Sequence, residues 1–340
     1  MSSEEILNHI KSEKEHKFTS TGIKFWRHKD ELMSYKNHTG RTIISTHISP
    51  EGACNLRCPY CSVTKRDTHN RIELDVIKDY VIKLKSRGLQ AVIITGGGEP
   101  TLYPHFEELV VWLKEKQKLS VALITNGTNV DRIDDSIWKL FSWVRVSLNF
   151  VENYKNRIKF PQIEGILGAS MVYIGQTLDD MRDLSMFVPE DLQYIRVLPN
   201  CLKEQKDLIE EHKKIKHLLE QLDDKRFFQQ YKLHGKPCSE VCHQAYFRPY
   251  LSEVNGGTVF PCDSLVLNEN QMKFGEQYAI CKPQEILDFL DMRIPLRFNA
   301  SELCTGCVFV DNIKLLDDWY HKGIEQFEHY KEEMIHEEFV

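Results

Sequence analysis

Three cysteines fall within the eight residues CNLRCPYC, positions 54 to 61. Cys54, Cys58 and Cys61 follow the spacing C-x3-C-x2-C, directly after the apolar run RTIISTHIS (41–49). A loop of that length can wrap three thiolates around one face of a cubic [4Fe–4S] cluster. One of the four irons then stays open to a small molecule. Zinc is the competing ligand. Structural zinc sites pair cysteines at C-x2–4-C with a second pair elsewhere, and the triplet fits that pattern poorly. Three free cysteines serving only as buried side chains are the plain alternative.

A second set, Cys238, Cys242, Cys262, Cys281, Cys304 and Cys307, lies within seventy residues, and Cys201 stands apart. The N-terminal stretch MSSEEILNHIKSEKEHK is too charged for a signal peptide, and no run of about 18 apolar residues offers a membrane span. We therefore expect a cytoplasmic protein with no membrane partner. Thiols in that compartment stay reduced, which turns clustered cysteines toward metal or redox chemistry rather than disulfides. The net charge of −6 argues against a general nucleic-acid binder.

The elements that must position these residues alternate. Strands are predicted at 41–49, 91–95, 121–125, 143–150, 166–175 and 194–200. Between them, Leu74, Ile77, Val81 and Leu84 recur at helical spacing, and 105–117, 131–141 and 178–187 also read as helices. Six βα units in roughly 160 residues predict an α/β fold, a partial (βα)6 barrel rather than the full eight-stranded form of about 250 residues. Functional groups on such a sheet gather at the C-terminal ends of its strands. The cysteine loop, Gly96-Gly97-Gly98 and Asn126-Gly127 each follow a strand and are expected on one face. The predicted organisation is a lead-in at 1–41, the barrel at 42–200, a helical linker at 201–235, a small cysteine-rich extension at 236–310 and an amphipathic helix at 311–340.

With the triplet, Tyr60 before its last cysteine, Gly96-Gly97-Gly98-Glu99-Pro100 after the second strand and Thr125-Asn126-Gly127 after the third, the chain resembles the radical S-adenosylmethionine (SAM) superfamily over about half its length. The resemblance implies that Cys54, Cys58 and Cys61 hold a [4Fe–4S] cluster and that SAM supplies the missing ligand through its amino and carboxylate groups. Reductive cleavage of SAM would then yield a 5′-deoxyadenosyl radical that abstracts hydrogen from a small-molecule or peptide substrate. An external one-electron reductant of flavodoxin or ferredoxin type is implied as partner. Gly97, Gly98 and Glu99 would lie along SAM's methionyl amine, Tyr60 would lie against its adenine or else serve in packing, and Asn126 is a further candidate for binding the cofactor. Ser147 and Asn149 share one face of the fourth strand and are candidate ribose or carboxylate contacts, or else satisfied interior polar groups. Arg196 is a candidate for a carboxylate of SAM or substrate, or a structural ion pair. His47 reads as a packed histidine.

The segment from Cys242 through Gly257 to Cys262 resembles the opening of the twitch and SPASM extensions of the same superfamily, C-x9–15-G-x4-C. Cys304 and Cys307 add two thiolates, so Cys242, Cys262, Cys304 and Cys307 are the expected ligands of an auxiliary [4Fe–4S] cluster, with Cys238 in reserve. Zinc would also suit four cysteines. Ile313 stands where the longer SPASM pattern needs a further cysteine, so the twitch form with one auxiliary cluster fits better. Cys281 has no assigned role. Cys201, just past the sixth strand, is a candidate hydrogen donor to a substrate radical, or an inert thiol. The chain ends Glu338-Phe339-Val340 without the terminal diglycine of the molybdenum-cofactor GTP cyclase, which turns expectation away from that activity. An iron–sulfur protein that transfers electrons or senses redox state, with no SAM chemistry, is the alternative function.

Overall fold

The computed structural model describes residues 12–148, 154–265, 276–323 and 334–340. Nine strands form one sheet: β1 Ser45–Ile48, β2 Ala91–Ile94, β3 Ser120–Thr125, β4 Trp143–Ser147, β5 Ile166–Val172, β6 Tyr194–Leu198, β7 Phe227–Gln229, β8 Tyr250–Ser252 and β9 Thr258–Phe260. Their order is β7-β6-β5-β4-β3-β2-β1-β8-β9, parallel throughout except for the antiparallel β8–β9 pair. From β1 to β7 each strand lies beside its predecessor. The sheet is not closed, and β7 and β9 are its edges.

The period of two sorts the strand residues onto two faces. Val92, Ile94, Leu123, Val144, Val146, Ile195 and Val197 belong to the main core together with Ile77, Val81, Leu109 and Val110 of the helices Leu74–Lys85 and Phe106–Val111. The alternate positions Ala91, Ile93, Ala122 and Trp143 form a separate small cluster closed by Phe339. Further along, the inner face turns polar. His47, Arg145, Ser147, Ser170 and Arg196 take positions that packing alone would give to apolar side chains.

All six predicted strands are present within a few residues of the predicted bounds. Four elements differ from expectation. The helix predicted over 105–117 changes from α to a π turn at Trp112–Lys116. The helix predicted over 131–141 is a single turn, Asp135–Trp138. β7 lies inside the segment read as linker and adds a seventh parallel strand. It follows the helix Gln205–Gln221. Finally, the hairpin expected at Asn255-Gly256-Gly257 is β8–β9, and it joins the main sheet by pairing β8 with β1. Asn255, Gly256 and Gly257 all adopt positive φ, which turns the chain tightly enough for the two short strands to pair.

The ends of the chain pack together. Ser12 and Glu15 form a capping box on the helix Glu13–Phe18. The C-terminal helix runs Val310–Lys322, and residues 334–340 return to the inner face without helical structure. Lys24 donates to the carbonyls of Ile335, His336 and Phe339, and the Phe339 ring meets Trp143 edge-on at 5.5 Å.

Candidate functional site

The cysteine loop leaves the C-terminal end of β1 and crosses the end of β2. Three backbone contacts fix the crossing. Gly97 N donates to Ser49 Oγ at 2.6 Å, Gly98 N to Glu51 O at 2.9 Å, and Glu99 N to Ala53 O at 2.8 Å. The loop lies so close that a Cβ on Gly98 would sit 2.0 Å from Ala53 O, and one on Gly97 would sit 2.1 Å from Glu253 Oε1. Neither glycine adopts positive φ; at Gly98 the close backbone of Ala53 and Gly52 excludes a side chain, whereas at Gly97 the near atoms belong to the movable Glu253 carboxylate.

Glu99 is buried, and its carboxylate accepts from Thr101 N and Oγ1, from Thr125 Oγ1 at 2.6 Å and from Asn126 N at 2.7 Å. It therefore braces the ends of β2 and β3, with three donors on Oε1 and one on Oε2. Burial raises its pKa, and the four donors work against that shift. Asn126 continues the brace into the cysteine loop. Its Nδ2 donates to Asn55 Oδ1 at 2.9 Å and lies 3.8 Å from Cys54 Sγ.

Arg66, which the sequence reading passed over, ties the loop from the other side. It donates to Gly52 O and Val63 O, and its Nη1 lies 3.6 Å from Cys61 Sγ. Leu56 N approaches Cys54 Sγ at 3.5 Å. Cationic and amide donors around cysteine sulfurs favour thiolate, the form that binds iron. Without a metal, burial and the neighbouring sulfurs of Cys61 and Cys54 push Cys58 up to about 11. All three cysteines are free and half-buried.

Cys54, Cys58, Cys61, Gly97, Asn126 and Ser147 line one cleft of about 990 Å³, together with Tyr60, Gly98 and Glu99. Asn149 lies outside the described residues. Arg196 and Cys201 line a different cavity of about 280 Å³ on the inner face of the sheet. The two spaces share Tyr60, Ser62 and Ile124 as common wall. Cys201 keeps a protonated thiol there, since burial pushes its pKa up to about 11. His47 is buried on the cavity wall, with Nδ1 3.5 Å from Asp263 Oδ2.

The second cysteine set divides. Cys242, Cys262, Cys304 and Cys307 stand near enough for the first two to be raised by the charges of the others, beyond the larger effect of burial. Gly235 and Cys307 exchange backbone hydrogen bonds at 3.0 Å, and Cys242 caps the short helix His243–Tyr246. Cys238 is exposed and Cys281 is buried against β9, bridged to Val259. Among the described residues, no three His, Cys, Asp or Glu side chains are drawn together tightly enough to hold a single metal ion. A four-iron cube spreads its thiolates over separate irons instead.

Residues 48–184 match the family model described as the Radical SAM superfamily. The match covers about two fifths of the chain. Among curated proteins, GTP 3′,8-cyclase of Chlorobaculum tepidum is 32% identical over 137 residues, 38% of this chain and 41% of that protein. Fe-coproporphyrin III synthase of Methanosarcina barkeri is 29% identical over 166 residues, 47% of this chain and 39% of that protein. The matched region thus spans about two fifths of the length of these relatives. Among solved structures, SuiB of Streptococcus suis bound to S-adenosylmethionine aligns with a TM-score of 0.55 at 16% identity, over 84% of this chain and 78% of that one. At this identity the likeness shows the fold alone. Among the described residues, no helix is long and apolar enough to cross a membrane.

Proposed function

We propose that this chain is a radical SAM enzyme whose cofactor cleft and substrate cavity are the two adjoining spaces on the inner face of the sheet. The observation that carries the reading is the convergence, in one cleft at the strand ends, of Cys54, Cys58 and Cys61, the glycine turn after β2 and Asn126. Cys54, Cys58 and Cys61 would hold a [4Fe–4S] cluster, and the cleft volume suits SAM beside it. When bound, that pair supplies reductive cleavage of the sulfonium and a 5′-deoxyadenosyl radical able to abstract hydrogen.

The chain's own residues bind and shield. The narrow turn at Gly97 and Gly98 lets ligand and loop approach the backbone. Arg66 and Asn126 direct donors at cysteine sulfur. Tyr60 and Ile124 separate the cleft from the cavity, so a substrate beyond them is kept near the cofactor and away from bulk water. Cys201, whose thiol donates to Pro199 O at 3.7 Å, lines the cavity and is a candidate hydrogen donor.

Cys242, Cys262, Cys304 and Cys307 would hold an auxiliary [4Fe–4S] cluster in a twitch-like extension built on β8–β9, with Cys238 outside the set. The run of parallel strands β1–β7 is read as an incompletely closed barrel, flanked by β8, which is parallel to β1, and working in the cytoplasm with an external one-electron reductant. The two curated relatives are named for different reactions, so the shared region does not fix the substrate.

Anaerobic reconstitution with iron and sulfide counting, followed by SAM and dithionite, tests the reading. About eight irons per chain are expected, falling to about four in the Cys54→Ala/Cys58→Ala/Cys61→Ala variant with loss of 5′-deoxyadenosine formation. Iron bound without SAM binding or cleavage, in the presence or absence of cell extract as substrate source, would instead support electron transfer or redox sensing. Zinc without iron would refute the reading.

A further inference from the structure

The inner cavity has an unusual wall. Six cationic side chains face it, Lys17, Lys24, Arg145, Arg196, Lys232 and Arg248, against one carboxylate, Asp263. Several are already engaged. Lys24 donates to the carbonyls of residues 335, 336 and 339. Arg248 Nη1 donates to Val340 O at 3.0 Å, and its other nitrogen lies 3.7 Å from Asp263, which also faces His47.

Arg145 is held in place and, among the described residues, pairs with no carboxylate. Its Nε donates to Tyr194 Oη at 3.0 Å and its Nη2 to Phe18 O at 3.1 Å. Its guanidinium also lies over the Trp143 ring, 4.9 Å from the centroid. Gly168 makes the arrangement fit, because a Cβ there would fall 2.1 Å from the Tyr194 ring. Arg196 stands two residues along β6 from Tyr194. Among the described residues it has no carboxylate within ion-pair distance, and its buried Nε has no hydrogen-bond partner. Burial and the nearby charge of Arg145 bring its pKa down to about 9. Two guanidinium groups in one partly desolvated cavity repel each other unless an anion joins them, and a guanidinium fork suits carboxylate or phosphate oxygens.

We propose that the cavity takes a small organic substrate bearing a carboxylate or phosphate, held by Arg196 with Arg145 behind it. This places the anionic group deep on β4–β6 and the rest of the molecule toward Tyr60, Ile124 and the cofactor cleft. The proposal rests on reading that neighbouring cleft as the radical SAM site.

Calorimetric titration of the full-length, anaerobically reconstituted protein, without reductant, tests it. The probes are inorganic phosphate, pyrophosphate and succinate, with glycerol as neutral control. At least one anion is expected to bind saturably, and glycerol not to bind. Arg196→Gln should weaken that binding at least tenfold, and Arg196→Lys should restore part of it. Thermal melting of both variants checks that the fold is kept. Preference for the phosphates or for succinate assigns the anionic group. Absence of saturable binding by the wild type, or binding unchanged in a folded Arg196→Gln variant, overturns the proposal. The titration needs no SAM cleavage. Arg196-dependent anion binding in a protein that never cleaves SAM would therefore refute the radical reading alone, and SAM cleavage without anion binding would refute the cavity assignment alone.

Discussion

Arg66 directs Nη1 at Cys61 Sγ across 3.6 Å while its Nε holds Gly52 O at 2.7 Å. One side chain thus joins the last cysteine of the triplet to Gly52, two residues before the first. The loop is closed by this fork as well as by the strand ends beneath it. Arg66→Ala removes a charge-assisted bond that is worth about 1.5–3 kcal/mol at full burial, and less at this half-exposed position. Iron retained at the first site after gel filtration is expected to fall severalfold, with a smaller loss in Arg66→Lys, which keeps the charge but not the fork. Unchanged iron in Arg66→Ala would show that the strand ends alone hold the loop.

Gly98 is set by contact and not by backbone conformation. In Gly98→Ala the new methyl meets the backbone of Ala53 and Gly52, which cannot move aside without displacing Cys54. Iron loading and SAM binding are expected to fall together in that variant. Gly175 provides a contrast. It has φ +105 and open space around it, so Gly175→Ala should cost only backbone strain of about 1 kcal/mol and leave iron content intact. Iron counts and SAM equilibrium dialysis on both variants check this.

Two of the buried cysteines of the C-terminal region, Cys304 and Cys281, should behave differently. Cys304 stands among Cys242, Cys262 and Cys307, whereas Cys281 lies against β9 near Glu285 and Asp288. Cys304→Ser is expected to lower iron by up to four per chain and to change the electron paramagnetic resonance spectrum of the reduced protein. Cys281→Ala should leave the spectrum as in the wild type. An altered spectrum in Cys281→Ala would move the auxiliary ligand set.

Lys24 secures the C-terminal segment through three carbonyls. Lys24→Met leaves the buried Phe339 carbonyl unpaired, at about 1–3 kcal/mol, and the partly buried carbonyls of Ile335 and His336 at less. Hydrogen–deuterium exchange should then quicken over residues 334–340, and Trp143, stacked edge-on with Phe339, should shift its emission to the red.

Asp224 gives a pH test remote from the cysteines. Burial would raise its pKa, but Arg226, at 2.7 Å, and Ser185 outweigh that effect and hold the carboxyl down to about 2. A folded pKa below the unfolded value means that the unfolded chain binds the proton first as pH falls. The stabilisation is complete above about pH 4 and is lost as pH falls toward 2. The difference in melting temperature between wild type and Asp224→Asn should be constant near neutrality and shrink below pH 4. A difference independent of pH would assign the effect to packing.

Local pattern determined much of this protein. The six predicted strands and the helix Leu178–Phe187 follow from apolar runs, helical periodicity and the capping box of Thr177 with Asp180. The cysteine triplet and the glycine turn were legible because both are short stretches following strands, and a parallel sheet puts strand ends on one edge. Tertiary structure decided the rest. β7 is three residues long, too short to show a period. The pairing of β8 with β1 joins residues about two hundred positions apart, and no local propensity encodes it. Arg66 looked like any loop arginine until the loop folded over it. Arg145 and Arg196 read as two basic residues on separate strands, and only the sheet register turns both toward one cavity. Glu99, a candidate ligand contact by motif, is occupied by four donors supplied by residues on the turn after β2 and at the end of β3. Sequence spacing specifies which side chains can share a face. Which of them already have partners, and which remain free for a ligand, depends on contacts between distant segments that form only when the chain packs.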